Sequence, residues 1–288
     1  MSRPLSPPSR TSRTGRAALA ALALGAFVIG TAELVVVGVL HLIADDLHVS
    51  VGSAGLLVTA YALGIAFGGP LATALTIRRG RRQVLAGTLV VFLAGNLLAL
   101  VSTAFGLLIV ARTLTGTVHG LFIGVASAVA AGLVPAERRG QAVSMVFGGI
   151  AVSTVLGVPL GTLVGQAWGW RAAFAGILAL AVVALVAVLL WVPPVSGGGS
   201  GGLAAQARHA FAPRVLAVLG TGLLLMGGQF TAFTYLAPYV EDVTHVPGAA
   251  VSAFLLIFGV ASAAGRSQGA ASPTATRGER WSSATHSW

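Results

Sequence analysis

The stretch FVIGTAELVVVGVL, residues 27–40, places a single carboxylate, Glu33, inside a continuous apolar segment. The segment extends in both directions, from about residue 17 to residue 44, and is long enough for a helix that crosses a membrane. A charge at the centre of a bilayer costs about 2.5–3.5 kcal/mol on insertion scales, so such residues usually face a cavity or a partner. The stretch therefore predicts a proton or ion site at Glu33, with a structural ion pair between two helices as the alternative.

The composition of the whole chain agrees with a membrane location. Of its 288 residues 56% are hydrophobic and only 8% are charged, whereas a soluble domain carries about 25% charged residues. The chain has no cysteine and no HExxH, P-loop or GxSxG motif, so the sequence predicts no enzyme, no metal site and no cofactor. The net charge is +10, but the arginines lie in short clusters between apolar runs, which indicates a lipid bilayer as partner and no nucleic acid.

Eight apolar runs follow one another, and their lengths predict an all-α polytopic membrane protein. They lie at about 17–44, 51–77, 84–105, 107–134, 141–167, 170–192, 215–240 and 249–264, the last being short. Arginine-rich and arginine-poor loops alternate between the runs, which places the N-terminus in the cytoplasm. Residues 1–16 and the polar tail 265–288 are predicted to be disordered, and the segment 193–214, with its SGGGSGG sequence, is predicted to be a cytoplasmic linker.

Two residues of the fourth run are candidate partners of Glu33. Arg112 is the only arginine well inside an apolar run, and His119 lies seven residues later, on the same face of a helix. A rise of about 1.5 Å per residue places Glu33 between these two residues in depth, so either can be its partner. His119 can equally be a packed residue that makes a hydrogen bond between helices.

The fifth and seventh runs carry two further patterns. Small residues recur at every fourth position of the fifth run: Gly149, Ser153, Gly157, Gly161 and Gly165. This stripe predicts the close approach of another helix, and Pro159 within it predicts a kink; tight packing without any role in transport explains both equally well. The seventh run mixes aromatic and polar side chains suited to a pocket for a lipophilic solute: Gln229, Phe230, Thr231 and Tyr235.

These motifs resemble those of the major facilitator superfamily, and in particular of the bacterial twelve-helix drug:proton antiporters related to sugar-efflux and chloramphenicol-resistance proteins. GTAELVVVGVLHLIADDLHVS resembles the signature of their first helix, RTLTGTVHG the fourth-helix motif, and GVPLGTLVG the antiporter motif of the fifth helix. WGWRAAF and FTYLAPYVEDVTHVPG also fit, so the resemblance covers roughly residues 17–260.

The resemblance implies a fold of two six-helix halves, of which this chain holds a complete N-terminal half over residues 17–192 and about two helices of the other half over residues 215–264. On this interpretation the chain is truncated at its C-terminus, and residues 265–288 are a disordered or frameshifted tail. The RRGRR loop matches the family's cytoplasmic gating loop through Arg78, Gly80, Arg81 and Arg82. Ile77 stands where the family has an aspartate.

The resemblance also implies a function: proton-coupled efflux of a small organic molecule or drug across the bacterial cytoplasmic membrane. Glu33 would carry the proton, with Arg112 as its counter-charge, and protons and a small-molecule substrate would be the ligands. One alternative is a non-transporting remnant of such a transporter. Another is a membrane interaction subunit that pairs with a second chain through the stripe of the fifth run. The oligomeric state does not follow from the sequence.

Overall fold

The computed structural model of the protein describes residues 13–195, 213–243 and 251–261. Within these ranges the regular elements are helices, which confirms the all-α prediction. Residues 1–12, most of the linker, including SGGGSGG, and the polar tail 265–288 lie outside the described residues.

Six of the described helices are long and apolar enough to cross a membrane, and they coincide with the first six apolar runs. In chain order the elements are α1 (Arg13–Gly38), α2 (Leu40–Asp46), α3 (Val51–Thr76), α4 (Arg81–Val101), α5 (Phe105–Gly132), α6 (Ala136–Trp168), α7 (Trp170–Trp191), α8 (Pro213–Thr234), α9 (Leu236–Asp242) and α10 (Val251–Ala261). The short α2 continues the first run after an interruption at Val39. The seventh run forms α8 and α9, and the eighth forms the short α10.

Short turns with defined end residues join α2 to α3 and α6 to α7. His48 ends α2 in the left-handed region (φ 52°), and the following amide bonds the Ala44 carbonyl at 2.9 Å. Ser50 then begins α3, because its hydroxyl accepts a hydrogen bond from the Ser53 amide at 3.0 Å. Gly169 separates α6 from α7 with a φ of 85°, a conformation that a residue with a side chain rarely adopts.

Helix α1 lies at the centre of the bundle and is the most enclosed of the six long helices. It packs against α6 and α7, while α3 and α4 pack against α5 and α4 also packs against α7. The outer faces of these helices leave large apolar side chains exposed, such as Phe67, Leu75 and Leu190. Lipid tails are as apolar as these side chains, so this surface suits a bilayer.

The small-residue stripe of α6 faces α1 of the same chain. A Cβ added at Gly149 would overlap the backbone of Ala23, and one at Gly157 would overlap the side chain of Thr31. Val35 and Val39 of α1 cover the rest of the stripe in the same way, at Gly161 and Gly165. The idea that this stripe pairs with a second chain is therefore wrong, because packing within the bundle already occupies that face.

A wide, π-helical turn precedes a proline in two of the helices. In α6 the turn Ser153–Gly157 comes before Pro159, and in α3 the turn Gly64–Gly68 comes before Pro70. A proline ring clashes with the carbonyl four residues earlier, and in both helices that carbonyl lies within the wide turn, which makes room for the ring. The interruption expected at Pro159 thus takes this form, and sequence reasoning missed the one before Pro70.

The two wide turns belong to an internal repeat. GTAELVVVG in α1 (residues 30–38) and GTVHGLFIG in α5 (116–124) share the pattern GTxxxxxxG, while GGPLAT in α3 (68–73) and GVPLGT in α6 (157–162) share GxPLxT. The packing repeats as well: Gly157 lies against Thr31, and Gly68 lies against Thr117. Such pairs are typical of membrane folds built from inverted repeats. The repeat places Glu33 and His119 at equivalent positions of α1 and α5.

Candidate functional site

Glu33 and His119 lie side by side between α1 and α5. The carboxylate atom Oε2 of Glu33 is 3.7 Å from Nδ1 of His119, and the two side chains are 21% and 9% exposed, respectively. This distance is longer than a hydrogen bond, so the two groups are in close electrostatic contact without sharing a proton in this arrangement. A shift of less than 1 Å would bring them within hydrogen-bond distance.

Arg112 binds the backbone of α1 and not the Glu33 carboxylate. Its Nη1 donates to the Ala32 carbonyl at 2.8 Å and its Nη2 to the Glu33 carbonyl at 3.0 Å. Its Nε donates to the Leu57 carbonyl of α3 at 3.4 Å, and the side chain is almost fully buried. The direct counter-charge contact implied by the family resemblance is thus replaced by charged hydrogen bonds to the peptide groups around Glu33.

Tyr61 of α3 completes the site and was missed by sequence reasoning. The guanidinium carbon of Arg112 lies 4.1 Å from the centre of its ring, a cation–π contact, and its hydroxyl oxygen lies 3.0 Å from Nδ1 of His119. A tyrosine in an apolar run is unremarkable by itself. The signal that could have identified it is the repeat, because Gly116, the equivalent of Gly30, lies directly against the Tyr61 backbone.

The four side chains form a buried cluster contributed by three helices, which can hold, accept or release a proton. Glu33 and His119 are the titratable pair, Tyr61 supplies a hydroxyl, and Arg112 supplies a fixed positive charge. Within the described ranges no group of three or more His, Asp or Glu side chains could hold a metal ion. Carboxyl, imidazole and phenol groups can each exchange a proton, so the residue types of the cluster allow proton exchange in an apolar environment.

Three of the four pocket candidates line a second feature, a cavity of about 380 Å³ between α3 and α8. Phe230, Thr231 and Tyr235 face Gly55, Val58, Thr59 and Ala62 across it. Its volume is at the lower end of the range of small-molecule sites. Gln229 is exposed on α8 and does not line this cavity. The cavity lining does not include Glu33, so the structure does not bring the proton site and the pocket candidates into one site.

The RRGRR loop fastens α4 to the end of α7. The guanidinium of Arg82 donates to the Leu189 carbonyl in the last turn of α7, where a positive charge is favoured, and the Arg81 amide donates to the Val195 carbonyl at 2.9 Å. Gly80 and Arg82 also line a cavity of about 480 Å³ here, while Arg78 is exposed. These contacts join parts of the same six-helix unit.

A polar network closes the opposite end of the bundle around Asp46. Its Oδ2 accepts hydrogen bonds from Arg171 at 2.6 Å and from the indole of Trp170 at 3.2 Å. Arg171 also donates to the Ser102 carbonyl at 2.9 Å and stacks on the Trp170 ring, so α2, α4 and α7 are connected. The hydrogen bond from Arg171 lowers the pKa of Asp46 below its ordinary value.

Comparison with known proteins identifies relatives over most of the chain. The sequence model of the Major Facilitator Superfamily matches residues 22–282. An uncharacterized transporter of Bacillus subtilis, YtbD, is 40% identical over 244 residues, which are 84% of this chain and 62% of that protein. The inner membrane transport protein YdhP of Escherichia coli K12 is 36% identical over 83% of this chain and 61% of its own length.

A chloramphenicol resistance protein of Streptomyces lividans is 35% identical over 84% of this chain and 63% of its own length. The chain therefore spans a little over 60% of the length of these relatives.

Solved structures share the fold. A bacterial homolog of the human lysosomal transporter Spinster, in an inward-facing conformation, superposes with a TM-score of 0.70 at 17% identity, covering 87% of this chain and 60% of that one. A D-xylose-proton symporter superposes with a TM-score of 0.64 at 21% identity, over 85% of this chain and 66% of its own. At these identities the likeness establishes the architecture only.

Proposed function

The chain belongs to the major facilitator superfamily, and from that premise we propose that it functions in proton-coupled efflux of a small organic molecule or drug. The observation that carries the proposal is the Glu33 carboxylate, which lies in an apolar bundle 3.7 Å from a histidine. An intramembrane acid is costly and marks proton paths in transporters. The Streptomyces relative is named a chloramphenicol resistance protein, which supports an antibiotic-like molecule as the substrate.

The position of Arg112 favours a carboxylate that gains and loses a proton. In a direct, buried arginine–carboxylate pair, loss of either charge is strongly unfavourable, so the acid would stay ionised. Here the guanidinium is bound to the carbonyls of Ala32, Glu33 and Leu57 and to the Tyr61 ring. Arg112 can therefore keep these contacts whether or not the Glu33 side chain carries a proton.

Antiport follows when the proton and the substrate prefer different conformations. A ligand shifts a conformational equilibrium only through its different affinity for the two states, and coupling between the two ligands is reciprocal. Protonation of Glu33 would favour one facing state, and substrate binding would favour loss of the proton and the other state. The 380 Å³ cavity beside Phe230, Thr231 and Tyr235 is our candidate for substrate contact.

We place the protein in the bacterial cytoplasmic membrane with its N-terminus in the cytoplasm. The loop between α3 and α4 and the start of α6 both carry arginine clusters, which are typical of the cytoplasmic side. The turns on the other side of the bundle, which include Asp46, carry few arginines. On this orientation the RRGRR loop contacts the cytoplasmic end of α7.

The test is resistance and drug accumulation in a drug-sensitive bacterium that expresses the full chain, with chloramphenicol as the first probe. Glu33→Gln and Arg112→Ala should abolish any resistance that the parent chain confers. Glu137→Gln and Arg138→Ala are matched controls, because they remove the same charges from two residues that are exposed and lie outside the site. Equal drug sensitivity of all forms and of cells without the protein, with the protein present in the membrane, would contradict efflux of that probe.

A further inference from the structure

One nitrogen atom faces both of the groups that can exchange protons with it. Nδ1 of His119 lies 3.0 Å from the Tyr61 hydroxyl and 3.7 Å from Oε2 of Glu33. An imidazole nitrogen carries either one lone pair or one proton, so it makes one strong hydrogen bond at a time. The two neighbours must therefore compete for Nδ1.

We propose that His119 is a positioning residue that bonds Tyr61 when Glu33 is protonated and bonds Glu33 when it is ionised. In the first state Nδ1 has a lone pair and accepts the hydrogen bond of the Tyr61 hydroxyl, an assignment that fits the 3.0 Å contact between the two atoms. In the second state Nδ1 carries a proton and its N–H donates a hydrogen bond to the carboxylate of Glu33. The Tyr61 hydroxyl then loses its acceptor. The proposal rests on Glu33 as the proton carrier.

The change from the first state to the second releases one proton in total. The O–H bond of protonated Glu33 breaks as an N–H bond forms at Nδ1, and the proton that Nε2 held leaves to water. The histidine is again neutral, now with its proton on Nδ1, and the carboxylate is ionised. Until Nε2 releases its proton the histidine is an imidazolium, and the positive charge of Arg112, stacked on the Tyr61 ring that contacts His119, favours that release.

This competition couples the protonation of Glu33 in α1 to the hydrogen bond made by Tyr61 in α3. Tyr61 lies three residues before the wide turn Gly64–Gly68, and its backbone packs directly against Gly116 of α5. The hydrogen bond between the Tyr61 hydroxyl and His119 joins the side chains of α3 and α5. Loss of that bond weakens the attachment of α3 next to the segment where its helix is already irregular.

Few other charged groups compete for this site. The middle segments of α4, α6 and α7 (residues 83–101, 140–168 and 172–191) contain no titratable side chain. The titratable residues of the elements that pack around α1, α3 and α5 lie towards the ends of the bundle: Arg81, Arg82, Glu137, Arg138, Arg139, Arg171, His41, Asp45, Asp46, Tyr235, Tyr239, Glu241 and Asp242. The titration of Glu33 therefore depends mainly on Arg112, His119 and Tyr61.

The experiment measures the protonation of Glu33 directly, without a transport substrate. The full chain is purified and placed in liposomes, and the infrared band of the protonated carboxyl group is recorded against pH. Glu33→Gln identifies the band by removing it. Tyr61→Phe keeps the ring under Arg112 but removes the hydroxyl that stabilises the protonated state, so the midpoint pH should fall by about 0.4–1 unit.

A double-mutant cycle shows whether the effect passes through His119. In a His119→Phe background, Tyr61→Phe should produce no further shift, because the shared nitrogen is absent. Tyr239→Phe, at an exposed tyrosine, is the matched control and should leave the midpoint unchanged. Circular dichroism of each variant reports whether the helices are retained.

Three results would overturn the proposal: an unchanged or raised midpoint in Tyr61→Phe, the same shift in the His119→Phe background, or no Glu33 band that titrates. The last result would also remove the proton part of the proposed function. If the parent chain shows no drug efflux but the double-mutant cycle gives the expected shifts in midpoint, only the proposed function is contradicted.

Discussion

Two adjacent glycines of α6 allow a direct test of how the bundle packs. Gly149 faces α1: a Cβ there would overlap the Ala23 carbonyl oxygen, and would lie 3.0 Å from its carbonyl carbon and 3.1 Å from the Phe27 nitrogen. Gly148 has nothing within 4 Å of the same added atom. We predict that Gly149→Ala destabilises the protein and that Gly148→Ala does not.

The difference between these variants isolates the packing effect. Replacing a helical glycine by alanine favours the helix by about 1 kcal/mol, and this gain is the same at neighbouring positions. The atoms that oppose Gly149 belong to the backbone of α1, so no side chain can rotate away and the helices must separate. Overpacking of this kind costs about 1–3 kcal/mol, which should separate the unfolding midpoints of the two variants by roughly 2–12 °C.

Thermal unfolding of the purified chain in detergent, followed by tryptophan fluorescence, provides the measurement. The parent chain and both variants are compared in one detergent and at one protein concentration, with helix content checked by circular dichroism before heating. Equal midpoints for Gly148→Ala and Gly149→Ala, or a lower midpoint for Gly148→Ala, would refute the assignment of this face to the α1 interface.

Two other predictions address the ends of the bundle and the cavity. Asp46→Asn should lower the unfolding midpoint at pH 7, and this effect should shrink as the pH is lowered below about 3.9, the pKa of an aspartate in the unfolded chain. Arg171 lowers the pKa of Asp46 in the folded state, so the pair stabilises the fold fully above the unfolded pKa and progressively less as the pH falls through the folded value. An effect that does not shrink at low pH would contradict that reasoning. Gly55→Leu should fill the cavity lined by Phe230 and Tyr235 and reduce drug efflux. Gly52→Leu is the control and should leave efflux unchanged, because a Cβ added there meets only Ser50, at 3.8 Å. Equal efflux by both variants would argue against this cavity as the substrate contact.

Hydropathy was sufficient to predict the helices because a bilayer leaves few other solutions for an apolar chain. Each of the first six runs exceeds the length needed to span a membrane, and each became one long helix apart from the interruption at Val39. The same patterns did not show which helix faces which. The stripe on α6 predicts a close neighbour, but only the three-dimensional structure identifies that neighbour as α1 and not as a second chain.

The site was harder to predict because its contacts use the backbone. Charge alone suggests that Arg112 pairs with the Glu33 carboxylate, but helix carbonyls retain a free lone pair and can accept a guanidinium equally well. Tyr61 gave no signal in a pattern of charges, since its part is a ring face and one hydroxyl. Comparing GTAELVVVG with GTVHGLFIG would have set His119 opposite Glu33 from the sequence, because equivalent positions of an inverted repeat meet near its axis.

The glycine packing and the charged cluster depend on each other. Arg112 reaches the Leu57 carbonyl of α3 because α3 and α5 lie close together, and that proximity requires residues without side chains, such as Gly116 against Tyr61. The charged hydrogen bonds in turn satisfy a buried cation that would otherwise oppose association of the helices. A change that separates α3 from α5 by a fraction of an ångström would therefore lengthen the bonds around Glu33 as well. For this reason the glycines that contact α1 and α3 determine the geometry of the proton site, although none of them takes part in proton exchange.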